Sequence, residues 1–464
     1  MQGPTESLFK KDFEENQMTD CFLKNLMNIS RDSVPDRVFI QARNCFIDYL
    51  ACTLAGAKEF YAKDLAYIDS LNSDNGNSTV IGFERKCSLQ TAALVNGMNS
   101  HIMELDDGHR KGAVHVGGTI FSALFPVAEQ ENLSIQDFLY GAIIGYEVTI
   151  RLACAVQPGN KLRGYHATGT CGTVGATMAI AAALHFDFDQ MKSAFSAAVT
   201  SAAGVLEMQE DNADMKPLNV GRAAMDAIAA AYLGKARFKA PVDALGGKRG
   251  FLKVMTDEPR TSFLKDFDSN SFGIMSIYNK PYASCRHTHS AIDATITIRK
   301  KNNLNFKSIS SILVETYKLA IAGHDHTKIP GISSAKMSIP YSVAIALITG
   351  NAGLDAFSEK YVTDKDVLDL TSKVKVIEKE DLSALCPQKR ASIVTVNANG
   401  EQFTERSDYP KGEPENPLTE EEFKQKVFSL LKYTGKDYKS INNIWNIVLN
   451  NSWNFNELLN LIHV

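Results

Sequence analysis

Apolar residues return at helical spacing over most of the first half of the chain. Ile40, Cys45, Phe46, Tyr49 and Leu50 form one such stripe and Phe138, Ala142, Ile143, Tyr146 and Ile150 another, so residues 34 to about 264 are predicted to run helix after helix. Within that span, 175–184 is almost entirely small and apolar. It is too short to cross a bilayer and predicts a helix packed closely against others, because small side chains let backbones approach. After Ser276 the texture changes. Residues 311–317, 373–377 and 391–396 are rich in β-branched side chains and partly alternate, which predicts strands. Asn399-Gly400, between 392–398 and 401–406, is a hairpin signal, because a type I′ turn needs positive φ at both central positions. A smaller α/β unit is therefore expected from about 279 to 410. From Thr419 through Phe423, Val427, Leu430 and Leu431 the spacing is helical again, and this tail can dock back on the first domain.

A chain of 464 residues, 44% of them hydrophobic, supports a sizeable core. Its net charge of −4 argues against a nucleic-acid partner while leaving room for a local basic pocket. The N-terminal stretch, with Lys10, Lys11, Glu14 and Glu15, lacks the apolar core of a secretory signal, and no uncharged run reaches the roughly 18–20 residues that span a bilayer. A cytoplasmic protein without a membrane partner is expected. Eight cysteines are scattered without a C-x-x-C pair, which points to reduced thiols and away from a zinc knuckle or a disulfide framework.

Chemistry concentrates in a few segments. Lys280-Pro-Tyr-Ala-Ser-Cys285-Arg286-His287-Thr-His289 sets basic and titratable side chains just before a helical pattern. Lys280, Arg286 and the helix start near Thr288 suit a small polyanion, although a solvated basic turn has the same composition. In 101–118, His101, Glu104, Asp106, Asp107, His109 and His115 crowd between helical patterns and end on Gly117-Gly118, as befits an active-site loop feeding a new helix near Thr119. The alternative there is a divalent metal on Asp106, Asp107, His109 and His115; Arg110 and Lys111 compete with it, and no H-E-x-x-H pattern occurs. His324 and His326 form another pair without a third ligand nearby. His166, in Gly164-Tyr-His-Ala-Thr168-Gly-Thr170-Cys-Gly172, stands at the mouth of the small-residue helix, where a buried core histidine is the plainer alternative. Lys216 follows Glu207, Glu210, Asp211 and Asp214, which offer it ordinary surface ion pairs.

In order along the chain, these segments resemble the motifs of the 2-methylcitrate dehydratase superfamily, also called MmgE/PrpD, which includes cis-aconitate decarboxylases and iminodisuccinate epimerases. The likeness lies in H-x-x-[DE]-x-D-D-x-H with a later H-x-G, then G-[FY]-H-x-T-[GS]-x-x-G, K-x-x-x-x-G-x-A-A from Lys216 to Ala224, K-P-Y-x-x-C-R-x-x-H, S-x-x-Y-x-x-A from Ser338 to Ala344, and K-G-x-P-x-N-P-L-T from Lys411 to Thr419. The resemblance implies a mainly α fold: an all-helical domain formed by both chain ends (1–278 and 413–464), a smaller α/β (α+β) lid domain (279–412), a pocket between them, and a homodimer. It also implies a lyase acting on a small di- or tricarboxylate without cofactor or metal. His115, His166, Glu104 and Tyr341 are then expected to be catalytic, and Lys216, Lys280, Arg286, Asp106 and His109 to bind substrate. An epimerase of a dicarboxylate and a non-catalytic carboxylate-binding protein are the alternatives, since dehydration, decarboxylation and epimerisation share carbanion chemistry.

Overall fold

The computed structural model describes residues 17–71, 76–209, 213–265, 267, 271–450 and 455–462. Lys10, Lys11, Glu14, Glu15, Glu210 and Asp211 lie outside the described residues. The fold is mainly helical, as expected. Helices α1 (Met18–Met27), α2 (Asp36–Ser70), α3 (Leu89–Ile102), α4 (Gly117–Glu131), α5 (Ile135–Val156), α6 (Ala167–Ala183), α7 (Phe188–Ser201) and α8 (Leu218–Lys235) pack around one hydrophobic core. In the α2 stripe Cys45, Phe46, Tyr49 and Leu50 are buried, but Ile40 is 54% exposed. Five positions before Cys45 falls well off the core-facing side of a helix with about 3.6 residues per turn. The α5 stripe is buried throughout. By length and composition α5 would suffice to cross a membrane, yet 89% of its apolar window is buried within the fold.

The small-residue run forms α6, which crosses α5 where glycines meet. A Cβ on Gly175 would lie 1.7 Å from Thr149 Oγ1 and 2.8 Å from the Gly145 carbonyl oxygen, and one on Gly145 would lie 2.8 Å from the Ala179 Cβ. Only hydrogen fits at either position, so glycine sets how closely the two helices approach.

The C-terminal half carries one mixed four-stranded sheet, β1 (Ile309–Thr316), β2 (Val374–Glu378), β3 (Ser392–Ala398) and β4 (Glu401–Ser407), in spatial order β2-β1-β3-β4. β1 and β2 are parallel with Val314 opposite Val376; β1–β3 and β3–β4 are antiparallel. A parallel pair needs a long crossover, and here it carries helices α10 (Ile339–Thr349) and α11 (Lys365–Ser372). The β3–β4 hairpin turns on Asn399 and Gly400 at φ of 54° and 81°, as their sequence predicts. One sheet face buries Ile312, Val314, Val394 and Val396 with Ala294, Ile298, Val343 and Leu347 of helix α9 (His289–Asn302) and α10, forming a second core. Helices α12 (Glu420–Tyr433) and α13 (Tyr438–Leu449) pack on α2. α12 opens on a capping box of Thr419 and Glu422.

Gly175→Ala should overpack the α5–α6 crossing and lower stability by about 1–3 kcal/mol, measured as a lower thermal midpoint. An unchanged midpoint would show that the crossing opens without cost.

Candidate active site

Helix α3 ends at Ile102, and the chain enters its acidic loop through Glu104 at φ +53°, in the left-handed region that costs a residue with a Cβ roughly 1–3 kcal/mol. The surroundings hold it there. Lys216 pairs with Glu104 Oε1, Lys280 Nζ donates to Oε2 at 2.9 Å, and His101 Nε2 lies 3.6 Å from Oε1. The loop backbone is tied down from distant parts of the chain. Lys336 Nζ donates to the Ile102 carbonyl at 3.0 Å, and Lys426 of α12 donates to that of Leu105 at 2.7 Å while pairing with buried Asp48. Gly108 and Tyr278 exchange backbone N–H···O bonds of 3.2 and 2.8 Å, and Arg110 reaches Glu413 at 2.8 Å.

Asp106 organises two imidazoles. His101 Nδ1 lies 2.8 Å and His115 Nδ1 2.9 Å from Asp106 Oδ2. His115 Nδ1 is also 2.9 Å from the Asp107 carbonyl oxygen, and since a carboxylate and a carbonyl only accept, Nδ1 carries the proton. In the neutral ring Nε2 is then the basic nitrogen, and no hydrogen bond occupies it among the described residues. The His115 amide donates to Thr168 Oγ1 at 3.0 Å, and that hydroxyl lies 3.2 Å from His166 Nε2. The rings of His115 and His166 are 6.4 Å apart.

These groups face a cavity of about 90 Å³ lined by Glu104, His115, His166, Lys216, Tyr278, Cys285, Arg286, His287 and His324, with Lys161 and Arg390. A cleft of about 440 Å³ also reaches Glu104 and Lys216 and adds Lys336. Larger clefts of about 610 and 810 Å³ lie elsewhere, and neither has a histidine in its lining.

The structure brings Glu104, His115, His166, Lys216 and Arg286 to this cavity, with Asp106 directly behind His115. It does not bring Tyr341, His109 or Lys280, and it leaves Arg286 engaged by groups of the protein. Tyr341 turns into the core, its hydroxyl donating to the Ala356 carbonyl at 2.8 Å, because Ser338 caps α10 and fixes the facing of its first turn. His109 accepts from the Gly112 amide through Nδ1 at 3.1 Å and packs by Cys154, outside the cavity lining. Lys280 is wholly buried between Glu104 and Asp106, where it neutralises carboxylates of the protein. Arg286 spends its guanidinium on Glu413 and the Lys411 and Pro410 carbonyls.

Nor is the four-ligand metal set assembled: Asp107 accepts from Tyr146 and the Gly117 amide, and His109 faces away. A different trio, His101, Asp106 and His115, places its ligand atoms within 4.8 Å of one another. His324 and His326 diverge, His326 bonding to Ser334. The pattern left His101, Cys285, His287, His324, Lys161 and Arg390 unassigned. His101 was the most accessible of these to sequence reasoning, lying one helical turn before Glu104.

Environment sets the protonation states. Burial opposes ionisation of Glu104 and Asp106, but Lys216, Lys280 and His101 outweigh it at Glu104, and His101, His115 and Lys280 at Asp106, so both lie well below the usual carboxylate range. Asp107, away from those cations, is pushed up to about 6 by burial. Burial lowers His115 against the pull of Asp106, and burial with Lys216 lowers His166 further, so both rings are neutral near pH 7. His109 is brought to about 3 by burial and neighbouring Lys111 and Arg110. At Cys285 burial is outweighed by a hydrogen bond and charge from His324, which bring the thiol down to about 6. His324 donates Nδ1–H to the Ala322 carbonyl at 2.7 Å, leaving Nε2 to take the thiol proton.

Comparison with known proteins shows the family. The MmgE/PrpD N-terminal domain matches residues 23–264 and the MmgE/PrpD C-terminal domain residues 282–447. A cis-aconitate decarboxylase of Aspergillus terreus is 26% identical over 431 residues, covering 87% of each chain. A cis-aconitate decarboxylase-like protein of Aspergillus oryzae is 26% identical over 97% of this chain and 98% of its own. The Homo sapiens cis-aconitate decarboxylase is 24% identical over 88% of this chain and 86% of its own.

Glu104→Gln should leave Lys280 buried and poorly matched, at a cost of about 3–5 kcal/mol in urea unfolding at pH 7. The double variant Glu104→Gln/Lys280→Met should recover much of that loss. Wild-type stability in the single variant would refute the clamp.

Proposed function

Because the chain belongs to the MmgE/PrpD family and resembles carboxylate lyases over most of its length, we propose that it is a cofactor-independent lyase of a small di- or tricarboxylate. The chemistry is one of two balanced steps. Either a proton leaves the carbon beside a carboxylate while hydroxide departs from the next carbon, or carbon dioxide departs and a proton is taken up. Both build charge beside a carboxylate, and so need fixed cations for the developing enolate and a group with pKa near neutral, acting as base in the first step and as proton donor in the second.

The observation that carries this reading is the Asp106–His115 pair, which fixes the imidazole with Nδ1 protonated and, among the described residues, Nε2 unbonded at a cavity that Lys216 also lines. In this reading His115 Nε2 moves the proton and His166 serves the second proton site. Lys216 meets a substrate carboxylate, and Glu104 holds the lysine until substrate arrives. A second reading draws on the His101, Asp106 and His115 trio, which has the donors for a divalent ion. Lys280 Nζ, 3.6 Å from Asp106 Oδ1, competes for that position and favours the first reading.

Turnover should be found among 2-methylcitrate, citrate, cis-aconitate and iminodisuccinate when each is followed by NMR in deuterated water, and it should survive EDTA. His115→Gln should lower kcat about 10²- to 10⁴-fold with substrate still bound. Deuterium exchange without net product would replace the lyase with an epimerase, and recovery of a chelated enzyme by one ion would favour the metal reading. Near-normal turnover in both His115→Gln and His166→Gln would overturn the histidine mechanism.

The pH profile offers a separate check. In the proton-abstracting step a base works when neutral, and His115 and His166 are both lowered from 6.5 in the free protein, so for that step the acid limb of kcat/KM should fall below pH 6.5. A limb above 6.5 would mean that neither histidine is the base.

A further inference from the structure

Charge in the cavity does not balance. Lys216 and Lys280 share Glu104, Lys280 also lies by Asp106, and Arg286 is matched by Glu413. Two other cations line the same cavity, Lys161 and Arg390. Arg390 is 6% exposed, and its guanidinium makes one hydrogen bond among the described residues, from Nη2 to the Arg110 carbonyl at 3.0 Å. Among the described residues no carboxylate lies within ion-pair distance of either side chain. Burial and Arg390 together depress the Lys161 ammonium, as two cations sharing one poorly solvated space should. Cys285 shares one proton with His324, so the two together add no net charge wherever that proton sits. Burial opposes the Arg390 charge while Tyr317, Tyr278 and Glu413 raise it; the one carboxylate among these, Glu413, is already paired with Arg286 and Arg110, so an anionic ligand would supply the direct counter-charge that Arg390 lacks.

We infer that Lys161 and Arg390 form an anion subsite, distinct from the Lys216–Glu104 pair, that takes a second carboxylate of the substrate. The inference rests on the lyase reading and narrows its substrate class. One carboxylate meets Lys216 beside His115, another meets Lys161 and Arg390, and a monocarboxylate fills only one position. Arg390 can grip its carboxylate through two parallel N–H bonds, with Lys161 as a point charge beside it.

Isothermal titration of the full chain with three unreactive probes, butyrate, glutarate and tricarballylate, tests this. The wild type should bind glutarate and tricarballylate at least about tenfold tighter than butyrate, the factor expected of one charge-assisted bond. Lys161→Gln should weaken both by about tenfold. Arg390→Gln should do the same or more where its thermal midpoint shows that it folds, and Lys161→Gln decides alone where it does not. Wild-type affinities in Lys161→Gln, with glutarate or tricarballylate bound by the wild type, would overturn the subsite and leave the lyase reading standing. A wild type that binds none of the three would overturn both.

Discussion

A single buried carboxylate, Glu104, sets the terms for everything around it. It draws in Lys216, which precedes α8, and Lys280, which lies at the entry to the α/β part of the chain. Each partner is far away in sequence, so the pair cannot form until both parts of the chain have docked. A buried ion pair is weak evidence of net stability, because desolvation offsets most of its attraction, but removing one member leaves a charge stranded. The clamp therefore acts mainly as a specification: it fixes where the 103–116 loop runs, and it holds Glu104 in a backbone conformation that the residue would not choose alone. The ties from Lys336 and Lys426, and the one between Arg110 of the loop and Glu413, work the same way, each bringing a side chain from the second half of the chain to the loop or its flanks.

Much of this was legible from the order of residues. Helical spacing located the core faces of α2 and α5, β-branched runs located the sheet, and Asn399-Gly400 fixed the hairpin, because in each case the signal is local and the physics that reads it is local too. Ile40 shows the limit: it belongs to an apolar stretch but sits at the wrong angle for the core. At the site, the motifs found Glu104, His115, His166 and Lys216, which do share a cavity. They misplaced His109 and Tyr341, since a motif gives a residue's position and not the direction its side chain takes. In the Ser338–Tyr341 motif the serine caps a helix and the tyrosine fills the core, so the spacing serves structure. Lys161 and Arg390 carried no local signal at all. They meet only because the segment before α6 and the turn before β3 close over one space.

Two neighbouring carboxylates show how far the fold divides identical side chains. Asp106 and Asp107 have adjacent backbones, yet one lies among His101, His115 and Lys280 while the other lies against Tyr146 and the start of α4. The first is held ionised and the second is raised to about 6. The difference comes from company, since both are fully buried and only Asp106 has cations within reach. Asp107 then serves as a distant cap, accepting the Gly117 amide at 2.9 Å where the first helical N–H groups lack partners.

That division fixes the geometry of His115. Its amide is held by Thr168, its Nδ1 by Asp106 and by the carbonyl of Asp107, and the helix that follows begins under the carboxylate of Asp107. A histidine tied only through its ring could swing about χ1, and one tied only through its backbone could take either tautomer. Held at both ends, it has one tautomer and a fixed ring plane. A base that must meet a carbon-bound proton gains most from such constraint, because misalignment costs rate directly while the ordering has already been done by the fold.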